Sequence, residues 1–351
     1  MVSRKPMPTT MRAMVIDEHG GPEVLHAGDV PIPDPGPGEV RVRVHAVALN
    51  HLDIWVRRGG PAFKLQYPHR LGSDIAGVVD AIGPGACGEP GAKVLVQPGV
   101  SCGRCAQCLG GHDNLCRWYK ILGENTQGGY GEYVVVPDVN LAPYPERLDF
   151  PEAAATILPF LTAWQMLVHK ARVQPGDVVL VQGAASGVGV AAIQIAKLHG
   201  ARVIATASSA AKLARAKALG ADAGIDYTAQ DFVAECRALT DKRGVDVVFE
   251  HIGGDVFAKS LRAVRNGGRI VTCGATAGFD PAIDLRQIFF RQVEVLGSTM
   301  GSKADLLAVQ QHVAAGRLVP VVHEVLPLAR AADAHRMLED RAAIGKLVLV
   351  P

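Results

Sequence analysis

Nowhere in this chain do apolar residues run unbroken for the eighteen or so positions that a membrane helix needs. That excludes a helical membrane span. No block of like charge occurs either: the 351 residues carry a net charge of +2, with 20% charged. This balance argues against nucleic acid or a membrane surface as partner. The opening MVSRKPMPTT has two basic residues but no apolar core behind them. It therefore reads as a flexible extension rather than a secretory signal, with the folded body starting near Met11 and the cytoplasm as compartment. An even disulfide framework is missing too. The cysteines number seven, and Cys87, Cys236 and Cys273 are scattered. These three read as buried, small apolar side chains.

What is present suits about two domains of ordinary size, and 48% apolar residues are enough for substantial cores. Up to about residue 150 the chain reads as β. EVRVRVHAV alternates valine with arginine or histidine, as a strand with one wet face does. IAGVVDAIG, AKVLVQ and YGEYVVV are further short strands, set between turns such as PIPDPGPGE and EPGAK. After APYPERLDFPEA the pattern changes. An apolar helix is expected from Pro151 to Lys170. Six apolar β-runs then alternate with helices, from DVVLVQ to VEVLGS, with Gly200 and Gly220 placed to end two of them. That alternation predicts a parallel, doubly wound α/β sheet. The tail from Gly301 holds two more helices and two more strands, more than such a sheet needs, and is expected to return to the first domain. The domains are thus drawn at 1–155, 156–298 and the returning 299–351.

Within the second domain, DVVLVQGAASGVGVAAIQIAKLHG reads strand, glycine turn, helix. Gly183 opens the turn. Ser186, Gly187, Val188 and Gly189 carry it into the helix, where Gly187 admits a pyrophosphate and Gly189 permits close packing. The helix N-terminus favours the phosphates. The next strand ends ATASSAAK, without the acid that binds the ribose hydroxyls of NAD. Ser208, Ser209 and Lys212 stand there instead, and hydroxyls with a cation suit a 2′-phosphate. NADPH is therefore expected in preference to NADH.

The remaining four cysteines form CGRCAQCLGGHDNLC, spaced C-x2-C-x2-C-x7-C at Cys102, Cys105, Cys108 and Cys116. Four thiolates close a tetrahedral zinc shell and leave no position for substrate, so one structural zinc is expected. The iron–sulfur run C-x2-C-x2-C-x3-C followed by proline differs in its last gap, and here Arg117 follows.

These features together resemble the medium-chain dehydrogenase/reductase superfamily, in its zinc alcohol dehydrogenase and quinone oxidoreductase branches. The likeness runs from Met11 to Pro351. It includes GGPEVL, the glycine pattern of LGSDIAGVVDAIGPG through Gly72, Asp74, Gly77, Val79 and Gly83, the four-cysteine lobe, and a turn closer to the quinone reductase style. The resemblance implies a GroES-like catalytic domain, a Rossmann domain with the nicotinamide held between them, and homodimers or homotetramers. It also implies that Ser208, Lys212 and Tyr227 hold the 2′-phosphate end and that Thr162 contacts the nicotinamide. Trp55, Trp118 and Phe160 are candidate pocket walls or core residues.

Where zinc alcohol dehydrogenases hold a second, catalytic zinc, this chain has Asn50, Ser73 and Leu158. None is a good zinc ligand, so that metal is expected to be absent. The resemblance places Asn50 against the nicotinamide. Without a Lewis acid, an acceptor that already spreads charge, a quinone or an α,β-unsaturated carbonyl, is favoured over a simple ketone. Asn50 and Ser73 are candidate donors to the developing oxyanion. His51 and Asp53 are candidate proton relays, His51 alternatively a phosphate contact and Asp53 an anchor for its turn. Two other readings stand beside this one. The first is an alcohol dehydrogenase or carbonyl reductase working through a polar relay or a weakly held metal on His51, Asp53 or Asp74. The second is a non-enzymatic nucleotide binder.

Overall fold

The computed structural model describes residues 9–61 and 63–351, so the expected N-terminal extension lies almost wholly outside the described residues. The chain divides into two compact units, one of residues 1–157 with 322–351 and one of 158–321. The first boundary falls within a few residues of the expected one. The last does not. Residues 299–321 were expected to return to the first domain, yet the helix Lys303–Ala314 packs on the helix Leu158–Trp164 of the second unit. Its Leu306, Val309 and Val313 are buried, and only from Val322 does the chain return.

The first unit is built on a seven-stranded sheet. Its order is Val322–Pro327, Lys346–Val350, Glu39–Ala48, Asp74–Ile82, Lys93–Val96 and Leu141–Pro143, with Tyr133–Pro137 also pairing Glu39–Ala48. The long central strand follows the valine alternation, but its polar face is drier than the sequence suggests. Arg41 is buried, and its guanidinium is neutralised by Asp80 at 2.6 Å and Asp34 at 3.3 Å. A buried arginine persists only with such partners. Val40, Val42, Val44 and Val47 of this strand join Ile75, Val79, Leu347 and Leu349 in the core.

The second unit is a six-stranded parallel sheet. Its order is Ala223–Asp226, Arg202–Ala207, Val178–Val181, Val245–Glu250, Val264–Thr272 and Glu294–Gly297. In chain order this is 3-2-1-4-5-6, the doubly wound arrangement, whose switch point lies between the first and fourth strands. The single helix expected over 151–170 is instead broken: Phe150–Ala154, then Leu158–Trp164, then a π-turn at Gln165–Lys170. Pro159 has no N–H to give the carbonyl of Ala155, so the ladder cannot run through. The break marks the junction of the two units. Among the described residues no helix is long and apolar enough to cross a membrane.

Candidate functional site

At the switch point the glycine turn takes the expected form. Val178–Val181 leads through Gly183, at φ +57°, into the helix Gly187–Leu198. Ser186 caps that helix, its Oγ accepting the Gly189 N–H at 3.0 Å. The turn is tied to the next strand: Gly183 N–H donates to Thr206 Oγ1 at 3.2 Å and Ala184 N–H to the Thr206 carbonyl at 2.9 Å. A Cβ on Gly189 would lie 2.5 Å from the Gly183 carbonyl oxygen and 2.9 Å from Ala184 Cα. These are backbone atoms, so the space can only be left to glycine. The helix N-terminus, with Gly187 and Val188 in its first turn, suits an anion.

The residues expected at the far end of a nucleotide converge. Ser208 follows the strand Arg202–Ala207, and Lys212 Nζ lies 3.4 Å from Ser208 Oγ. Tyr227 follows the neighbouring strand, its N–H donates to Ala207, and its ring is exposed. Ser209 does different work: it caps the helix Ala210–Ala218 through the Lys212 N–H. Thr162 is buried in Leu158–Trp164, and its Oγ1 has no hydrogen-bond partner among the described residues. A buried hydroxyl without a partner costs free energy, and a ligand amide is one group that would satisfy it.

In the first unit, Asn50 caps the helix His51–Arg58. Asp53 closes the capping box, Oδ2 accepting the Asn50 N–H at 2.7 Å, while Oδ1 accepts the Gly72 N–H at 2.9 Å. Asp53 thus joins two loops, so the structure favours anchor over relay. Burial lifts its carboxyl to about 6 from an ordinary 3.8, against the pull of those two N–H groups and of Lys346. The folded chain therefore binds this proton more tightly than the unfolded chain. Stability from this group is full below pH ~4 and is lost as pH rises to about 6, by about 3 kcal/mol. In urea titrations from pH 4 to 7, Asp53→Asn should gain on the wild type by about that amount across the window. Parallel curves would reject the shift.

Ser73 differs from expectation. It is fully buried, and its Oγ donates to the Leu122 carbonyl at 2.7 Å. Its one hydrogen is spent, so Ser73 is a loop tie rather than an oxyanion donor. His51 is neutral, because burial first, then Lys346, Arg341 and Arg58, push its imidazole down to about 4. The Asn50 amide lies among charges that the sequence reading did not connect. Nδ2 donates to Asp74 Oδ2 at 3.0 Å, and Oδ1 accepts from Lys346 Nζ at 2.6 Å. Lys346 also donates to Asp74 Oδ2 at 3.0 Å and to the Leu49 carbonyl. The signal for it was present in GKLVLV, where a lysine opens an otherwise apolar strand. Phe160 is core, 1% exposed, whereas Trp118 is half exposed beneath the Arg117 guanidinium, 3.9 Å from the ring centroid.

The four cysteine sulfurs all lie within 4.8 Å of one another, the one group of three or more metal-type side chains drawn together among the described residues. Cys102 and Cys108 sulfurs are 3.9 Å apart, and Cys105 and Cys108 3.5 Å. A tetrahedral shell with zinc–sulfur bonds of about 2.3 Å has edges of about 3.8 Å, and a disulfide needs about 2.05 Å. The donor set fits one tetrahedral ion. The backbone N–H of Arg104, with those of Cys105 and the neighbouring thiols, draws the Cys102 thiol down to about 6.

Comparison with known proteins agrees with this geometry. Residues 36–146 match the alcohol dehydrogenase GroES-like domain family, and residues 187–315 the zinc-binding dehydrogenase family. The quinone oxidoreductase of Homo sapiens is 29% identical, the alignment covering 97% of this chain and 98% of that protein. An NAD-dependent alcohol dehydrogenase of Sulfurisphaera tokodaii is 33% identical, covering 97% and 100%. A crystal structure of an NAD-dependent alcohol dehydrogenase is 56% identical with a TM-score of 0.94, covering 97% of this chain and all of that one.

Proposed function

Since the chain belongs to the medium-chain dehydrogenase/reductase superfamily, a family of oxidoreductases, we propose that it is an NADPH-dependent reductase of quinones or α,β-unsaturated carbonyls with no metal at the reacting centre. The observation that carries this reading is the donor set of the first unit: Asn50 holds an amide between Asp74 and Lys346, and Ser73 has committed its hydrogen to Leu122. Neither offers imidazole, thiolate or carboxylate to a divalent ion. An acceptor that delocalises charge by itself needs less help from such a site.

Gly183, Ser186, Gly187, Val188 and Gly189 would carry the pyrophosphate, Ser208, Lys212 and Tyr227 the 2′-phosphate, and Thr162 the nicotinamide end. Reduced nicotinamide supplies a hydride when bound. Asn50 Nδ2 has two hydrogens, of which Asp74 takes one, and the other can be given to the oxygen on which charge develops. His51, its imidazole pushed down to about 4, is neutral at pH 7 and so is not a charged acid for the final proton. Cys102, Cys105, Cys108 and Cys116 would hold one zinc that fixes their lobe. Exposed Leu285, Phe289 and Phe290 precede, and exposed Val295 lies on, the outer strand Glu294–Gly297, which supports a homodimer or homotetramer. The cytoplasm is the compartment we assign.

A second reading, NADH-linked interconversion of alcohol and carbonyl, is favoured by the 56% identical alcohol dehydrogenase structure. Steady-state oxidation of NADPH and NADH against quinones, enones and aldehydes, with zinc counted on the same sample, separates the two. The first reading expects NADPH, quinone or enone turnover and one zinc per chain. Preference for NADH with aldehydes, or a second zinc, would replace it. Lys212→Ala should raise the KM for NADPH roughly 10-fold, as loss of a charge-assisted hydrogen bond does, and leave NADH within about twofold. Equal effects on both nucleotides would remove the 2′-phosphate assignment.

A further inference from the structure

We infer that Lys346 is a positioning residue for the reaction: its ammonium fixes the orientation of the Asn50 amide, so that Nδ2–H rather than Oδ1 is the group offered to a carbonyl oxygen of the acceptor. The inference rests on the reading of Asn50 as the donor and adds the device that makes it one.

The strand Lys346–Val350 runs antiparallel to Glu39–Ala48, with Val348 opposite Ala48, and the Leu49 N–H donates to the Leu347 carbonyl at 2.9 Å. This pairing sets Lys346 beside Leu49 and Asn50. Lys346 is 5% exposed, Asp74 fully buried and Asn50 9% exposed, so all three are buried, Asn50 the least deeply. Lys346 Nζ meets three acceptors: the Leu49 carbonyl, Asn50 Oδ1 and Asp74 Oδ2. An ammonium has three N–H groups, and all are used. Lys346 therefore has no hydrogen left for a substrate and acts only through its neighbours.

An asparagine amide can sit either way round, and its neighbours decide. Here Oδ1 faces the ammonium and Nδ2 faces the Asp74 carboxylate. Turned over, the carbonyl would face the carboxylate and the NH2 the ammonium, like against like on both sides. In a site sheltered from water such a reversal is heavily penalised. Asp53 holds the same residue by its backbone N–H at 2.7 Å. Asn50 is thus fixed at main chain and side chain by separate residues, with one Nδ2 hydrogen remaining. A preorganised donor of this kind spends nothing on reorientation during reaction.

The test is a double-mutant cycle on whichever carbonyl substrate the wild type reduces. Lys346→Met keeps the stem and removes the charge. It should lower kcat roughly 10-fold, short of the 10²–10³ typical of losing an oxyanion donor outright, with the KM for the nucleotide unchanged within about twofold. In an Asn50→Ala background the same change should alter kcat by less than about twofold, since the lysine has nothing left to orient. A full and additive loss there would overturn the inference. Because Lys346→Met takes the neighbouring cation from the buried Asp74 carboxylate, Lys346→Met/Asp74→Asn removes both charges as a folding control. It should show the same kcat loss at near wild-type Tm, and wild-type kcat in that variant would also overturn the inference. A reading without turnover comes from protein labelled with ¹⁵N-asparagine. The Asn50 carboxamide pair should shift or broaden in Lys346→Met, and an unmoved pair would reject the role of Lys346. Failure of quinone and enone reduction would count against the proposed function alone, because the cycle runs equally on an aldehyde.

Discussion

Gly189→Val is expected to weaken nicotinamide nucleotide binding by ~100-fold or more while leaving the zinc content of the four-cysteine lobe unchanged. The first atom of the new side chain would meet the Gly183 carbonyl oxygen at 2.5 Å and Ala184 Cα at 2.9 Å. Neither can rotate away, because Ala184 and Gly183 are hydrogen-bonded to Thr206 on the next strand. Relief requires the helix Gly187–Leu198 to back off from the turn. That moves the N–H groups a phosphate would use, and a displacement costing about 3 kcal/mol is already a hundredfold in affinity. Fluorescence titration of NADPH, with circular dichroism to confirm that the second unit stays folded, reads the effect. Retained affinity in a folded variant would move the nucleotide off this turn.

Cys105→Ala is expected to empty the lobe of zinc and to lower Tm by ~5–10 °C, while kcat measured well below Tm stays within about threefold. The four sulfurs close on one another within 4.8 Å, in a segment otherwise built of short turns, the four-residue helix Ala106–Leu109 and a single 3-10 turn at Asp113–Leu115. With three ligands the ion is held far less tightly, and its binding free energy is folding free energy for the segment it ties. A loss of about 2–4 kcal/mol corresponds to the stated shift for a unit of this size. Metal analysis, calorimetry and a turnover assay on one preparation check it. A fall in kcat matching the fall in zinc would place that metal in the chemistry.

Much of this was legible because the signals are local. The apolar strands alternating with helices are consecutive in sequence, and so are the seven residues of the glycine turn and the fifteen of the cysteine lobe. Each element can be read from its own spacing. The polar centre of the first unit was not legible in that way. Asn50 and Asp53 are neighbours on one helix, but Lys346 lies 296 residues beyond Asn50. Ser73 loses its hydrogen to Leu122, 49 residues on, through a backbone carbonyl that carries no residue signature. Arg41 read as a wet-face residue because its partners Asp34 and Asp80 come from other segments. The second boundary was misplaced for a related reason. The helix Lys303–Ala314 follows the sixth strand, and only its packing on Leu158–Trp164 says which unit it serves. Sequence gives the residue types of a site, whereas long-range pairing decides which oxygen or nitrogen of each is still available.

The interrupted layout of the first unit has a consequence for biosynthesis. Ribosomes deliver the chain amino end first, so residues 158–321 emerge and can fold before Val322–Pro351 exists. Until then the sheet around Glu39–Ala48 lacks its partner Lys346–Val350, and that margin is open to mispairing while translation continues. A nonsense codon between positions 322 and 346 would release a chain whose residues 158–321 are complete but whose Asn50 amide has no lysine beside it. Such a product should still bind a nicotinamide nucleotide, consume chaperone capacity, and turn over almost nothing.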